Sequence, residues 1–330
     1  MEFRTVPALL SLAVAAILSA SAVRAQAPAD DYPSRPVTLI SPFGAGGSVE
    51  QEFRLYMQHI LETTGRRFII DSKVGAGGTV GAGYVAKAAP DGYTLLAASS
   101  TVAIAPSVYP NLPYDNQRDF APVSLLTKHV YLLVVNPNSP YRTAAEYIAA
   151  ARARPGELNF GTAGLGGGTH LPGELLHYLT KTKVTFVHYK TPPQRVLDLV
   201  AGRIDAAVGS FPLLMPQVRA GKLRAVAVTS NQRVQLTSDI PTLEEQGVPG
   251  YDFSSWVGLI APARTPPAIV NKLNSLFVAA AKDPGVFKKL EADGTIAVAG
   301  SPEQFRQFIA AETERWRRLF ADTGLKLEAD

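Results

Sequence analysis

Two glycine-rich turns hold the residues best suited to chemistry. The first, Ser41-Pro42-Phe43-Gly44-Ala45-Gly46-Gly47-Ser48-Val49-Glu50, follows an apolar run, PVTLIS, and opens a helical pattern. Glycines let a backbone approach a ligand closely and expose its N–H groups. A helix behind the turn adds unsatisfied donors and the positive end of its dipole. Such a turn binds an anion without a charged side chain. The second, GTAGLGGGTH, runs from Gly161 to His170, and the two are expected to face each other across a cleft. Ser99-Ser100-Thr101 ends another apolar run. Strand ends of this kind border ligand sites in open α/β sheets, although the hydroxyls could equally cap the next turn.

Other chemistries lack their residues. There is no cysteine and no G-x-S-x-G elbow, which argues against an exported hydrolase. GAGGTVGAG (Gly75 to Gly83) resembles a nucleotide loop, but it has neither G-x-G-x-x-G followed by an acidic residue nor G-K-[ST]. Close packing of a helix on a strand is the better reading of those glycines. His170, Glu174 and His177 fall at i, i+4 and i+7, a spacing that suits zinc. The leucines at 171, 175, 176 and 179 claim the core side, which would leave His177 exposed, so no metal and no cofactor are expected. Glu50 either offsets the helix dipole or orders the Gly46-Gly47 loop. Lys190, Arg195 and Arg203 are each candidate counter-charges for a carboxylate, against the commoner role of a solvated surface charge.

These groups need an alternating α/β frame to position them. VTLIS, RFIID, YTLLAAS, VYLLVVNP, LNFGT, VTFVHYK, IDAAVGS, LRAVAVTS and WVGLIAP read as strands. Helices are expected between them: after the box Ser48-x-x-Gln51, after Thr143-x-x-Glu146, and from Leu171, with a short one framed by Thr242-x-x-Glu245 and Gly247. NLPYDNQRDF reads as a surface loop. Thr265-Pro266 and Ser301-Pro302-Glu303-Gln304 open two late helices, which lack strands for a third domain and are expected to pack back on the first. Two chain crossings, near residues 128 and 252, would make a hinge.

The N-terminus has the form of an export signal: one basic residue, an apolar stretch from about Val6 to Ala22, and a small-x-small site at Val23-Arg24-Ala25. Cleavage after Ala25 leaves about 305 residues, a usual size for two cores. The absence of cysteine at the cleavage site argues against a lipoprotein and for a free periplasmic protein of a Gram-negative source. A net charge of +4 suits small anions, and the lack of any basic run argues against nucleic acid.

Taken together, YPSRPVTLISPFGAGG, KVGAGGTVGAGYVAKAAPDGYTLL, LPYDNQRDFAPVSLL, PGELNFGTAGLGGGTHLPGELL, AGRIDAAVGS, RAGKLRAVAVTS and IPTLEEQGVPGYDFSSWVGLIAP resemble the Bug-family substrate-binding proteins of tripartite tricarboxylate transporters. The resemblance covers essentially the whole mature chain. It implies an α/β, two-lobed periplasmic binding protein (type II, Venus flytrap) with the ligand cleft between the lobes. Residues 26–128 plus 253–330 would form lobe 1 and residues 129–252 lobe 2. The ligand would be a small carboxylate, most readily an aliphatic or aromatic dicarboxylate such as terephthalate. It would pass to membrane permease subunits, with the binding protein itself a non-enzymatic monomer outside the membrane. An amino-acid or nicotinate-type ligand, or a sensory role toward a membrane kinase, are the alternatives.

The implied binding residues are Phe43, Gly44, Ala45, Gly46, Gly47, Ser48, Ser100, Thr101, Thr162, Ala163, Gly164, Gly167, Thr169, His170 and Ser210, with Glu50 and Asp205 behind them. The chain departs from the family pattern at Glu50, at Asp71-Ser72-Lys73-Val74, at Thr191-Pro192-Pro193-Gln194-Arg195, and in the glycine loop at Leu165. Phe43 and Leu165 would make the middle of the cleft more apolar.

Overall fold

A computed structural model describes residues 31–43, 48–162, 168–189, 191–291 and 294–326. The leader, Gly44 to Gly47, Ala163 to Gly167 and Lys190 lie outside the described residues. Strands β1 (Val37–Ser41), β2 (Phe68–Ser72) and β3 (Thr94–Ser99) pair in parallel around β1. Helices α1 (Ser48–Thr64), α2 (Thr79–Ala86) and α3 (Thr101–Val108) lie between and after them. β4 (Phe120–Val135) then runs through the molecule. Later come α4 (Ala144–Ala153), β5 (Asn159–Thr162), α5 (Leu171–Thr180), β6 (Thr185–His188), α6 (Pro192–Val200), β7 (Ala206–Ser210), α7 (Phe211–Arg219) and β8 (Arg224–Val228). β9 (Ser254–Pro262) precedes α8 (Pro267–Lys282), α9 (Pro284–Glu291), β10 (Thr295–Ala297) and α10 (Pro302–Thr323).

The strand order β2-β1-β3-β9-β4-β7-β5-β6, with β8 and β10 also on β4, makes an α/β sheet system in two lobes. β4 is the element common to both. Its first part pairs antiparallel with β9 as far as Val130 opposite Ser254. From Tyr131, opposite Ser210, it pairs with β7, and from Leu132 with β8. The chain returns at the same level, where the Phe253 amide donates to the Thr229 carbonyl at 2.8 Å.

Local sequence accounts for most of the elements. The hydroxyl of Thr143 accepts from the Glu146 amide, and Ser301 and Gln304 form the reciprocal box that opens α10. Three readings change. The run 120–129 continues the strand that was expected only from Val130, because β9 and β10 flank it on both sides. Thr242 and Glu245 exchange two hydrogen bonds at 2.8 and 3.0 Å but hold a turn rather than a helix. Gly247 ends that turn with a φ of 87°. Thr265 does not cap α8, whose N-cap is Pro266.

Helix α8 packs back on lobe 1, as expected. Phe277 meets Phe53, Tyr56 and Phe68 with ring centroids 5.1 to 6.4 Å apart. α10 does more. Trp316 packs on Phe253, and Asp322 accepts from the Tyr178 hydroxyl of α5, so this helix touches both lobes. Because Phe277 is fully buried in the aromatic cluster, Phe277→Ala is expected to cost about 3–5 kcal/mol of stability. Urea unfolding of the variant checks this, and a loss below about 1 kcal/mol would contradict the packing described.

Candidate functional site

β1 and β3 both end on one side of lobe 1, where helices begin. α1 starts at Ser48 and α3 at Thr101, so two helix N-termini with hydroxyl side chains stand at the strand ends. In lobe 2, β7 ends at Ser210, which is the N-cap of α7. Between them lies a cleft of about 620 Å³. Phe43, Ser48, Val49, Gln51, Glu52 and Leu55 form one wall, with Ser99, Ser100 and Thr101 beside them. Tyr131, Gly168, Ser210 and Pro212 form the other wall. His129, Val130, Ser255, Trp256 and Val257 make the floor, with the buried Leu290 and Thr295 beside them and the exposed Lys289 at the rim.

The third glycine turn props up the first jaw. Gly78 has a φ of 96°, and a Cβ there would meet Pro42 at 3.3 Å and the Thr101 hydroxyl at 3.4 Å. A Cβ on Gly81 would lie 3.1 Å from the Pro42 backbone. These glycines serve close packing, the reading preferred from sequence.

Five of the expected residues, Phe43, Ser48, Ser100, Thr101 and Ser210, meet on the cleft wall. Gly44, Ala45, Gly46, Gly47, Ala163, Gly164 and Gly167 fall outside the described residues. Thr162 is fully buried, with its hydroxyl 2.6 Å from Nδ1 of His188. His170 is buried as well. Its Nε2 lies 3.1 Å from Glu174 Oε1, and its ring packs edge-on against Phe186 and His188. Thr169, half-buried, precedes it. Neither Thr162 nor His170 is among the described residues that line this cleft. Asp205 stands before β7, at the end away from Ser210, where it accepts from the Asn159 amide at 2.8 Å. Glu50 is buried and accepts from Arg54 Nε at 2.9 Å.

A network unseen in the sequence lies under the floor. Glu52, 2% exposed, accepts from the hydroxyls of Tyr56 and Thr127 and sits 2.9 Å from Nε2 of His129. His129 Nδ1 is 3.2 Å from the Thr295 hydroxyl. Burial, then the charge of Glu52, pushes the Tyr56 hydroxyl far above its usual range, so it stays a donor. The helical spacing of Glu52 and Tyr56, four apart on α1, was the available signal; the partner strand around Thr127 and His129 was not expected.

The zinc-like spacing resolves differently. His177 is buried, not exposed, with Nδ1 2.7 Å from the Thr182 hydroxyl. Among the described residues no cluster of three metal-ligating side chains is present, and no helix is long and apolar enough to cross a membrane.

An α/β frame in two lobes, with helix N-termini and hydroxyls converging on the cleft between them, defines a solute-binding protein of the periplasmic type. Residues 53–325 match the family described as Tripartite tricarboxylate transporter family receptor (TctC), and the chain belongs to it. Protein BugT of Bordetella pertussis is 35% identical over 320 residues, covering 96% of this chain and 98% of that one. A solved structure of an R. palustris protein with adipate is similar at 35% identity and a TM-score of 0.73, covering 90% of this chain and 99% of that one. MatC from Rhodopseudomonas palustris with bound malate is 31% identical with a TM-score of 0.67, over 87% and 99% of the two chains.

Burial also sets a pH dependence. It lowers the His177 imidazole from 6.5 to about 3. The neutral ring is therefore favoured in the folded state: its stabilisation is complete above pH 6.5 and is lost as pH falls toward 3. Stability measured between those limits is expected to fall for the wild type and to fall less for His177→Asn, by on the order of a few kcal/mol at the acid end. Equal pH slopes for the two proteins would contradict a buried neutral imidazole.

Proposed function

We propose that the chain captures a small dicarboxylate in this cleft, closes on it, and delivers it to membrane permease subunits of a tripartite transporter. The observation that carries this is the convergence of three helix N-termini, those of α1, α3 and α7, on one cleft. Their dipoles favour a carboxylate at each wall. The apolar side chains of Phe43, Val49, Leu55 and Val257 between them suit an aliphatic or aromatic middle. Lys289 at the rim adds attraction.

An ammonium group, by contrast, would need an available carboxylate. Glu50 is engaged by Arg54, Glu52 by Tyr56, Thr127 and His129, and Asp205 stands at the far end of β7. This favours a dicarboxylate over an amino acid. Adipate and malate, named in the structures of two similar proteins, are both dicarboxylates.

The reading is of binding rather than turnover. Closure would bend the chain where β4 changes partners, at Val130–Tyr131, and at Phe253–Ser254, with residues 26–128 plus 253–330 moving against 129–252. The protein acts as a monomer in the periplasm after removal of its leader at Ala25.

A thermal-shift panel of malate, adipate, citrate, phthalate, terephthalate, aspartate and glutamate tests the reading. A dicarboxylate at a hundredfold its Kd is expected to stabilise the protein by about 2.7 kcal/mol, whereas aspartate and glutamate leave it unchanged. Gly46→Asp or Gly47→Asp should abolish the shift while the ligand-free protein melts normally. A panel in which no carboxylate raised the melting temperature would sink the proposal.

A further inference from the structure

Arg195 has a property that the dicarboxylate reading leaves unused. It stands in the first turn of α6 and is 1% exposed, where sequence alone favoured a solvated charge. Two glycines make its room. A Cβ on Gly161 of β5 would lie 3.1 Å from Arg195 Cγ, and a Cβ on Gly209 of β7 would lie 2.9 Å from its Nη2.

Nη1 donates to the Val208 carbonyl at 2.6 Å. Nε and Nη2 are buried with no hydrogen-bond partner among the described residues. The ionisable neighbour that acts on it is Tyr131, a cleft residue rather than a carboxylate. Burial pulls the guanidinium down to about 10, so it is charged at neutral pH. A buried charge without a counter-ion is costly to the folded state. Gly209 directly precedes Ser210, and Ser210 faces Tyr131 in the ladder. Both line the cleft, so the charge lies immediately behind the lobe 2 wall.

We propose that Arg195 is the fixed counter-charge of the second jaw, attracting one carboxylate of the ligand across the end of β7 and so favouring dianions over monoanions. Attraction over this short, water-poor path is weakly screened. The proposal rests on the carboxylate reading above.

Adipate and hexanoate titrated by calorimetry into the wild type, Arg195→Met and Arg195→Lys test it, together with urea unfolding with and without sulfate. Arg195→Met is expected to weaken adipate at least tenfold and to narrow its preference over hexanoate. Without ligand it should unfold at no lower a urea concentration, since an unpaired buried charge has gone. Arg195→Lys should recover part of the adipate affinity. A lower urea midpoint with unchanged adipate affinity would make Arg195 structural and overturn the proposal. If Arg195→Met does not fold, Arg195→Gln is read by the same criteria.

Should the wild type bind neither adipate nor any acid of the panel, the carboxylate reading falls, and sulfate decides for Arg195. Greater stabilisation of the wild type than of Arg195→Met upholds a buried anion-attracting charge. Equal stabilisation refutes it.

Discussion

One strand belongs to both lobes, and the cleft exists because of it. β4 pairs with β9 and β10 on one side of Val130 and with β7 and β8 beyond it. Each ladder fixes the height of its own strand ends, so the helix N-termini of the two lobes must meet at the level where β4 changes partners. Register shifts at Pro122/Ser124, Leu125/Thr127 and Leu133/Val134 interrupt the ladders on either side of that level. Such irregularities bend a strand and increase its twist. Val130 and Tyr131 lie between them, with Ser254 and Phe253 alongside.

This frame was largely legible in the sequence because its signals are local. Apolar runs of five or six residues mark β1, β2, β3 and β7, and S-x-x-Q or T-x-x-E boxes mark helix starts. The first half of β4 was hidden for an equally physical reason. FAPVSLLTKH contains a proline, a lysine and a histidine, and it becomes strand only because β9 and β10 arrive from more than a hundred residues away. α3 was missed because TVAIAPSV has β-branched residues and an internal proline, and it is held as a helix by packing against α10 rather than by propensity. The same non-local origin hid the Glu52–His129 contact, since neither residue is remarkable alone.

Site residues followed the same rule. Hydroxyls at strand ends line the cleft because position along a strand fixes them. His170 is buried at a helix start, where its neighbours set its direction: Phe186 and His188 on β6 offer an aromatic seat and Glu174 a charge. Asp205 shows the converse. It is close in sequence to Ser210, yet a strand of five residues separates them by the length of β7.

The electrostatics of the cleft follow from how its acids are engaged. Glu50, Glu52 and Asp205 each accept hydrogen bonds from protein donors. Toward the cleft stand the N-termini of α1, α3 and α7 with the hydroxyls of Ser48, Ser100, Thr101 and Ser210. Uncharged donors of this kind cost less to desolvate than charged ones. A buried guanidinium complements them differently. Its desolvation is met once, on folding, and need not be met again at each binding event. On the proposal made for Arg195, a pocket with neutral donors at its surface and a fixed charge behind one wall discriminates by ligand charge.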